Sequence, residues 1–174
     1  MTMRIFVIAP VIAPRGDIAR IELLRRRHDA NATRVAAHLT LVFGLEGVDR
    51  RVVDAHVARM ASQNRQIAYR LSSYLAVPDI DQTQHSIFLV PDQGRLEIEA
   101  LHDALYSGPL KGYLRRDIPY IPHVTIGQVE HGIQAEALIR TLGQVGISAQ
   151  LSHLELVEFD GTVLNVLNRF ALTP

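Results

Sequence analysis

The sequence predicts an α+β fold in which a first strand is followed by two α-β-α-β-β repeats, and three observations lead there. Apolar positions alternate between helical and strand spacing along the 174 residues. The run His38-Leu39-Thr40-Leu41 returns as His123-Val124-Thr125-Ile126, an offset of 123 − 38 = 85. The run Leu71-Ser72-Ser73-Tyr74-Leu75-Ala76-Val77 is answered by Leu151-Ser152-His153-Leu154-Glu155-Leu156-Val157, an offset of 151 − 71 = 80. The five-residue difference falls in the intervening helix and loop, where length changes are tolerated. No linker or composition shift separates the halves. They are expected to be lobes of one domain spanning 1–174, roughly 17–91 and 95–174.

Each element has a local reason. Arg4 to Ala9 reads as a strand ended by Pro10 and Pro14. Asp17 is a candidate N-cap for a helix carrying Ile18, Ile21, Leu23 and Leu24 and closing on Arg25-Arg26-Arg27, cations that suit the helix dipole. His38 to Phe43 is strand-like, and Asp49 opens a second helix to about Ser62. Ala68 to Val77 and His85 to Pro91 read as strands joined by a polar loop around Pro78-Asp79-Ile80-Asp81. Leu96 to Tyr106 is a third helix stopped by Ser107-Gly108-Pro109. A basic, aromatic loop with Lys111, Tyr113, Arg115, Arg116 and Tyr120 leads into the strand Ile121 to Val129. A helix from about Gln134 to Leu142 ends at Gly143. Strands Ala149 to Phe159 and Val163 to Leu172 then turn at Asp160-Gly161.

Composition narrows the function. Apolar residues make up 48% of the chain, so burial can offset chain entropy. Lys plus Arg equals Asp plus Glu at 18 each, without the basic excess that gripping long nucleic acid requires. The absence of cysteine excludes disulfides, thiolate metal sites and a cysteine nucleophile, and fits a reducing, cytoplasmic setting. The apolar run Ile5 to Ala13 is short, interrupted by Pro10 and preceded only by Arg4, so it reads as a buried strand rather than a signal peptide. No stretch approaches the length of a membrane span.

The two triplets carry the chemistry. Side chains alternate across a strand, so His38 and Thr40 share one face while Leu39 and Leu41 pack from the other; His123 and Thr125 stand likewise against Val124 and Ile126. Two such strands related by an approximate twofold would point two imidazoles and two hydroxyls into one cleft. In-line attack at phosphorus needs a base for the nucleophile and an acid for the leaving oxygen, and imidazole serves as either near neutrality. Threonine hydroxyls can hold the non-bridging phosphate oxygens. With eight His and eight Thr in the chain, a lone His-x-Thr is a weak signal, expected for any His about once in twenty by composition. Two, each followed by an apolar residue in a repeated unit, are a strong one.

At these residues the chain resembles the 2H phosphoesterases, the superfamily that includes bacterial 2′–5′ RNA ligase-like proteins and cyclic phosphodiesterases. Arg26-Arg27-His28-Asp29-Ala30-Asn31-Ala32 and Ile118-Pro119-Tyr120-Ile121-Pro122-His123 resemble one branch of that group. The resemblance implies a bilobal fold with antiparallel sheets flanking a central cleft. It implies His38 and His123 as the acid–base pair, Thr40 and Thr125 as phosphate-contacting hydroxyls, and no metal or cofactor. Its substrates would be 2′,3′-cyclic phosphates of nucleotides or RNA ends. Ala36-Ala37 stands where the branch often has prolines, whereas Pro122 keeps the corresponding place; the change is expected to affect loop rigidity rather than chemistry.

Other residues are weighed against blander roles. Tyr120, Arg34 and Arg115 are candidates to contact the rest of a substrate, with Tyr120 or Tyr113 available to stack on a base. Arg25 to Arg27 read as a helix end. His56 and His102 read as helix packing, His85 and His153 as strand residues placed to approach the cleft, and His28 and His131 as loop or helix-end residues. A catalytic zinc would need a third protein ligand, and Glu46, Asp117 and Glu130 show no ligand spacing. No Gly-rich phosphate loop or Gly-x-Ser-x-Gly elbow is present. The partner expected is a small nucleotide or RNA end, with no long duplex and no membrane, and the chain is expected to be a monomer. The competing functional class is a binding module for RNA termini or nucleotides that leaves them unchanged.

Overall fold

Alternation of apolar and polar side chains along eight strands builds two antiparallel sheets in the computed structural model, which describes residues 3–79 and 82–174. The strands are β1 Arg4–Pro10, β2 His38–Leu45, β3 Ile67–Pro78, β4 His85–Gln93, β5 Val124–Val129, β6 Ile147–Leu151, β7 His153–Phe159 and β8 Leu164–Ala171. The helices are α1 Arg15–His28, α2 Arg50–Gln63, α3 Arg95–Leu105 and α4 Gly132–Leu142, with a 3-10 turn at Gly108–Tyr113. One sheet runs β2-β1-β7-β8 and the other β5-β4-β3-β6. Of the expected polar loop, Ile80 and Asp81 lie outside the described residues.

The two sheets superimpose in order, β2 on β5, β1 on β4, β7 on β3 and β8 on β6, and the registers make the correspondence quantitative. Ile8 pairs with Thr40 as Phe88 pairs with Thr125, so 88 − 8 = 80 and 125 − 40 = 85. Ile8 also pairs with Glu155 as Phe88 pairs with Leu75, and 155 − 75 = 80. Both offsets read from the sequence recur in the strand pairing. A register shift lies between Val7 and Ile8 and another between Ile87 and Phe88, so even the irregularity is duplicated.

The expected order is present, β1 followed by α1-β2-α2-β3-β4 and then by α3, β5, α4 and the closing strands. The pairing crosses that order: β3 pairs with β4, and β7 with β1, so the two equivalent sets of strands start at β1 and at β4. The sheets therefore do not follow the contiguous spans 17–91 and 95–174. The expected single strand Ala149 to Phe159 divides at Ser152 into β6 and β7, which belong to different sheets. Asp17 is not the N-cap of α1. Pro14 holds that place, its carbonyl accepting from Asp17 and Ile18, and Asp17 sits in the first turn. Asp49 does cap α2, its side chain accepting from the Arg51 N–H at 2.8 Å.

Packing places the two motif strands against each other. Leu39, Leu41, Val124 and Ile126 are fully buried in one hydrophobic cluster, while His38, Thr40, His123 and Thr125 on the opposite faces stay half-buried. Helix α1 packs on β5 and α3 on β2, so each half covers the other's motif strand, and the edge strands β2 and β5 meet. The approach of α1 to β5 requires Gly127, because a Cβ there would overlap the Cβ and backbone of His28. That contact holds the end of α1 and the loop 29–37 beside the second motif. Among the described residues no helix is long and apolar enough to cross a membrane.

Candidate active site

Both triplet histidines are anchored in the same way. His38 Nδ1 bonds the Ala36 carbonyl at 2.8 Å and His123 Nδ1 bonds the Ile121 carbonyl at 2.6 Å, each acceptor two residues upstream. A carbonyl only accepts, so each ring carries a proton on Nδ1 and keeps Nε2 as its free nitrogen. Burial lowers the His38 pKa, the Ala36 bond opposes that, Arg25 adds to it, and Asp29 and Glu22 counter it. Burial brings His123 down to about 4, opposed by the Ile121 bond and reinforced by the charge of His38. Both imidazoles are therefore neutral at pH 7.

The environments of the two rings differ. His123 lies flat on Phe88, centroids 3.5 Å apart and planes 16° from parallel. Ile8 holds the equivalent place beside β2. Two chambers meet at Ser86 and Thr125. The smaller, about 240 Å³, is lined by His38, Thr40, Asn31, Arg34 and Gln128. The larger, about 670 Å³, is lined by His123, Phe43, Phe88, Tyr106, Tyr120 and Arg115. A bound group at Thr125 would thus touch both histidine neighbourhoods, one mixing polar side chains with Phe6 and Ile8 and the other aromatic.

The other expected residues separate into near and far. Tyr120 reaches across the cleft, its hydroxyl donating to the Thr40 carbonyl at 3.2 Å and its ring stacked on His102 at 3.7 Å. Arg34 lines the smaller chamber and donates to Asn31 Oδ1 at 3.3 Å. Arg115 stands at the rim of the larger one with both guanidinium arms on Asp117, at 2.9 and 2.6 Å. Tyr113 lines neither chamber. His85 and His153, the strand candidates, also line neither: His85 abuts Gly132, and His153 lies 3.7 Å from Glu155. His56 is buried packing, bonded to the Leu105 carbonyl. Among the described residues no three or more His, Asp or Glu side chains are placed to hold a metal ion.

Sequence reasoning missed several residues that shape the site. Ser86 and Phe88 alternate along β4 toward the cleft, a signal available once β4 is aligned with β1 at an offset of 80. His102 was expected only to pack, yet it lines the larger chamber and supports Tyr120. Arg25 lies in the last turn of α1 as expected, and it is also buried: it is 2% exposed, with its guanidinium on Glu22 and Asp29. Its place seven residues after Ile18 and four after Ile21 puts it on the buried face of α1, which was the available signal.

Comparison with known proteins agrees with this architecture. Over 99% of both chains, the fold matches a crystal structure described as a phosphoesterase, at 21% identity and a TM-score of 0.64. E. coli LigT matches over 99% of both chains, at 22% identity and a TM-score of 0.63. Usb1 of Kluyveromyces marxianus matches over 97% of this chain and 98% of its own, at 11% identity and a TM-score of 0.55. No curated protein sequence matches. The family model described as the 2′-5′ RNA ligase superfamily matches residues 10–163, most of the chain and both triplets, and the chain belongs to that superfamily.

Proposed function

We propose that the chain is a metal-independent phosphodiesterase that opens 2′,3′-cyclic phosphates of nucleotides or RNA ends by two-histidine acid–base catalysis. The observation that carries this reading is the duplicated anchor: two half-buried imidazoles, each fixed through Nδ1 and each leaving Nε2 free, flank the threonines Thr40 and Thr125. The phosphate binds between the threonine hydroxyls, and its negative charge favours protonation of one neighbouring imidazole. The neutral imidazole takes a proton from water as the water oxygen bonds to phosphorus. The protonated one gives its proton to the departing ribose oxygen, leaving a phosphomonoester and a pair whose protonation is exchanged, which solvent proton transfer resets after release. Each group contributes typically ~10²–10⁴-fold. With the 5′-hydroxyl of a second RNA end in place of water, the same transfers join the two ends, and the linkage is 2′–5′ when the 3′ oxygen departs.

Small nucleotides suit this cleft. E. coli LigT has been solved with phosphate, 3′-AMP, ATP and NADP+, and Kluyveromyces marxianus Usb1 with uridine monophosphate. A phosphate at the shared wall of the chambers would place a base in the aromatic one, beside Tyr120, and leave Arg34 for polar groups on the other side. The residues, the cytoplasmic setting and the monomeric state are part of the same proposal. The test is incubation with 2′,3′-cyclic AMP in excess chelator, followed by phosphorus NMR. Turnover by the parent, lost in His38→Ala and in His123→Ala, is the expected result. Tight binding with the cyclic ligand unchanged would replace the enzyme with a nucleotide-binding module.

A further inference from the structure

The peptide joining Ala36 to Ala37 is engaged at both ends. Its carbonyl oxygen accepts from His38 Nδ1 at 2.8 Å, and its N–H donates to Glu22 Oε1 at 2.6 Å. A peptide is one conjugated unit, so a carboxylate bonded at the N–H places more negative charge on the carbonyl oxygen, and hydrogen bonds in series strengthen one another. Glu22 is itself fixed. Arg25 Nη1 bonds its two carboxylate oxygens at 3.2 and 3.1 Å and the Val35 carbonyl at 3.0 Å. The far side of the guanidinium donates twice to Asp29 Oδ2, at 3.1 and 2.9 Å, and Asp29 Oδ1 accepts the Asn31 N–H. This buried network clamps both ends of the loop that delivers His38.

The second half has no counterpart. His123 bonds the carbonyl of the peptide joining Ile121 to Pro122, and a proline nitrogen carries no hydrogen to offer a carboxylate. The place on α3 equivalent to Glu22, 22 + 80 = 102, is held by His102, which bonds the Leu41 carbonyl instead. The groups facing His38 are Glu22, Arg25 and Asp29 from α1 and its end, Arg34 from the chamber wall, and His123 across the cleft. Glu22 and Asp29 favour a charged imidazole, while Arg25 opposes it.

We propose that Glu22, held by Arg25, is a positioning residue that acts on His38 through the Ala36–Ala37 peptide and makes His38 the more readily protonated of the two imidazoles. The inference rests on the two-histidine reading and deepens it, because it makes two symmetry-related groups unequal. It also gives Ala37 a chemical role, since a proline there would abolish the N–H that Glu22 uses.

The test follows the imidazole nitrogens of the full chain through a pH titration by NMR, with His38→Ala and His123→Ala assigning the two signals. Glu22→Gln keeps an oxygen that can accept the Ala37 N–H but removes the charge. Its His38 midpoint is expected to fall by about one pH unit while His123 holds. Ala37→Pro copies the arrangement at Pro122 and is expected to move His38 in the same direction. A His38 midpoint unchanged in both variants, or equal movement of both histidines, overturns the proposal. If the parent turns over 2′,3′-cyclic AMP, Glu22→Gln shifts one limb of its pH–rate profile to lower pH and leaves the other. If it does not, the two-histidine reading fails, while the titration still decides whether Glu22 acts on His38.

Discussion

The two motif strands hold equivalent places in the fold, yet different forces hold their histidines. The first lies at the end of a loop tied by buried charge, Arg25 between Glu22 and Asp29, beside a small chamber lined by Arg34 and Asn31 together with Phe6 and Ile8. The second lies between a proline-stiffened approach and the ring of Phe88, beside a large aromatic chamber. Both keep the same Nδ1 anchor, so geometry is shared while electrostatics are not. In the proposed acid–base chemistry, unequal surroundings bias which imidazole carries the proton.

The largest effects should come from breaking either half outright. Loss of His38 or of His123 is expected to lower kcat/KM on a cyclic nucleotide by ~10²–10⁴-fold, read from initial rates. Arg25→Ala leaves Glu22 and Asp29 without their buried cation and should cost about 3–5 kcal/mol in denaturant unfolding. At Leu105, the equivalent buried position on α3, the volume-conserving exchange Leu105→Met should cost less than about 1.5 kcal/mol. A smaller loss in Arg25→Ala than in ordinary surface variants would remove the charge clamp from the account.

Acid should weaken the second half more than its proximity to solvent suggests. His123 titrates near 4 when folded and near 6.5 when unfolded. Below pH 6.5 the unfolded chain takes up a proton that the native one refuses, so stability falls from there to about pH 4 and then levels. The loss from this group is up to about 3 kcal/mol, and His38 adds to it in the same sense. His123→Gln should flatten that slope in unfolding measured across the window. Gly127→Ala should cost about 1–3 kcal/mol, because β5 or the end of α1 must shift to relieve the overlap with His28. The mildest change, Phe88→Leu, should raise the His123 midpoint and leave His38 in place, read by the same NMR titration.

Much of this was legible in the sequence because repeated residues leave repeated spacing. The offsets of 80 and 85 recur in strand pairing, and the triplets alone locate the cleft. The start of the repeat was not legible: Phe6 to Ala9 and Ser86 to Leu89 share backbone register but no identical residue. The division at Ser152 was hidden because one residue separates two apolar runs that read as one strand. Arg25 was hidden among three consecutive arginines, where only helix phase distinguishes the buried one. The Glu22 bond to Ala37 joins residues 15 apart through a backbone N–H, which no side-chain pattern reveals.

The most direct test of the two-histidine account is the pH dependence of kcat/KM for 2′,3′-cyclic AMP hydrolysis in excess chelator. A bell with two limbs is expected, each abolished with the activity when its histidine is replaced. Hydrolysis that persists undiminished in the double variant His38→Ala with His123→Ala, or a flat profile in the parent, would contradict it.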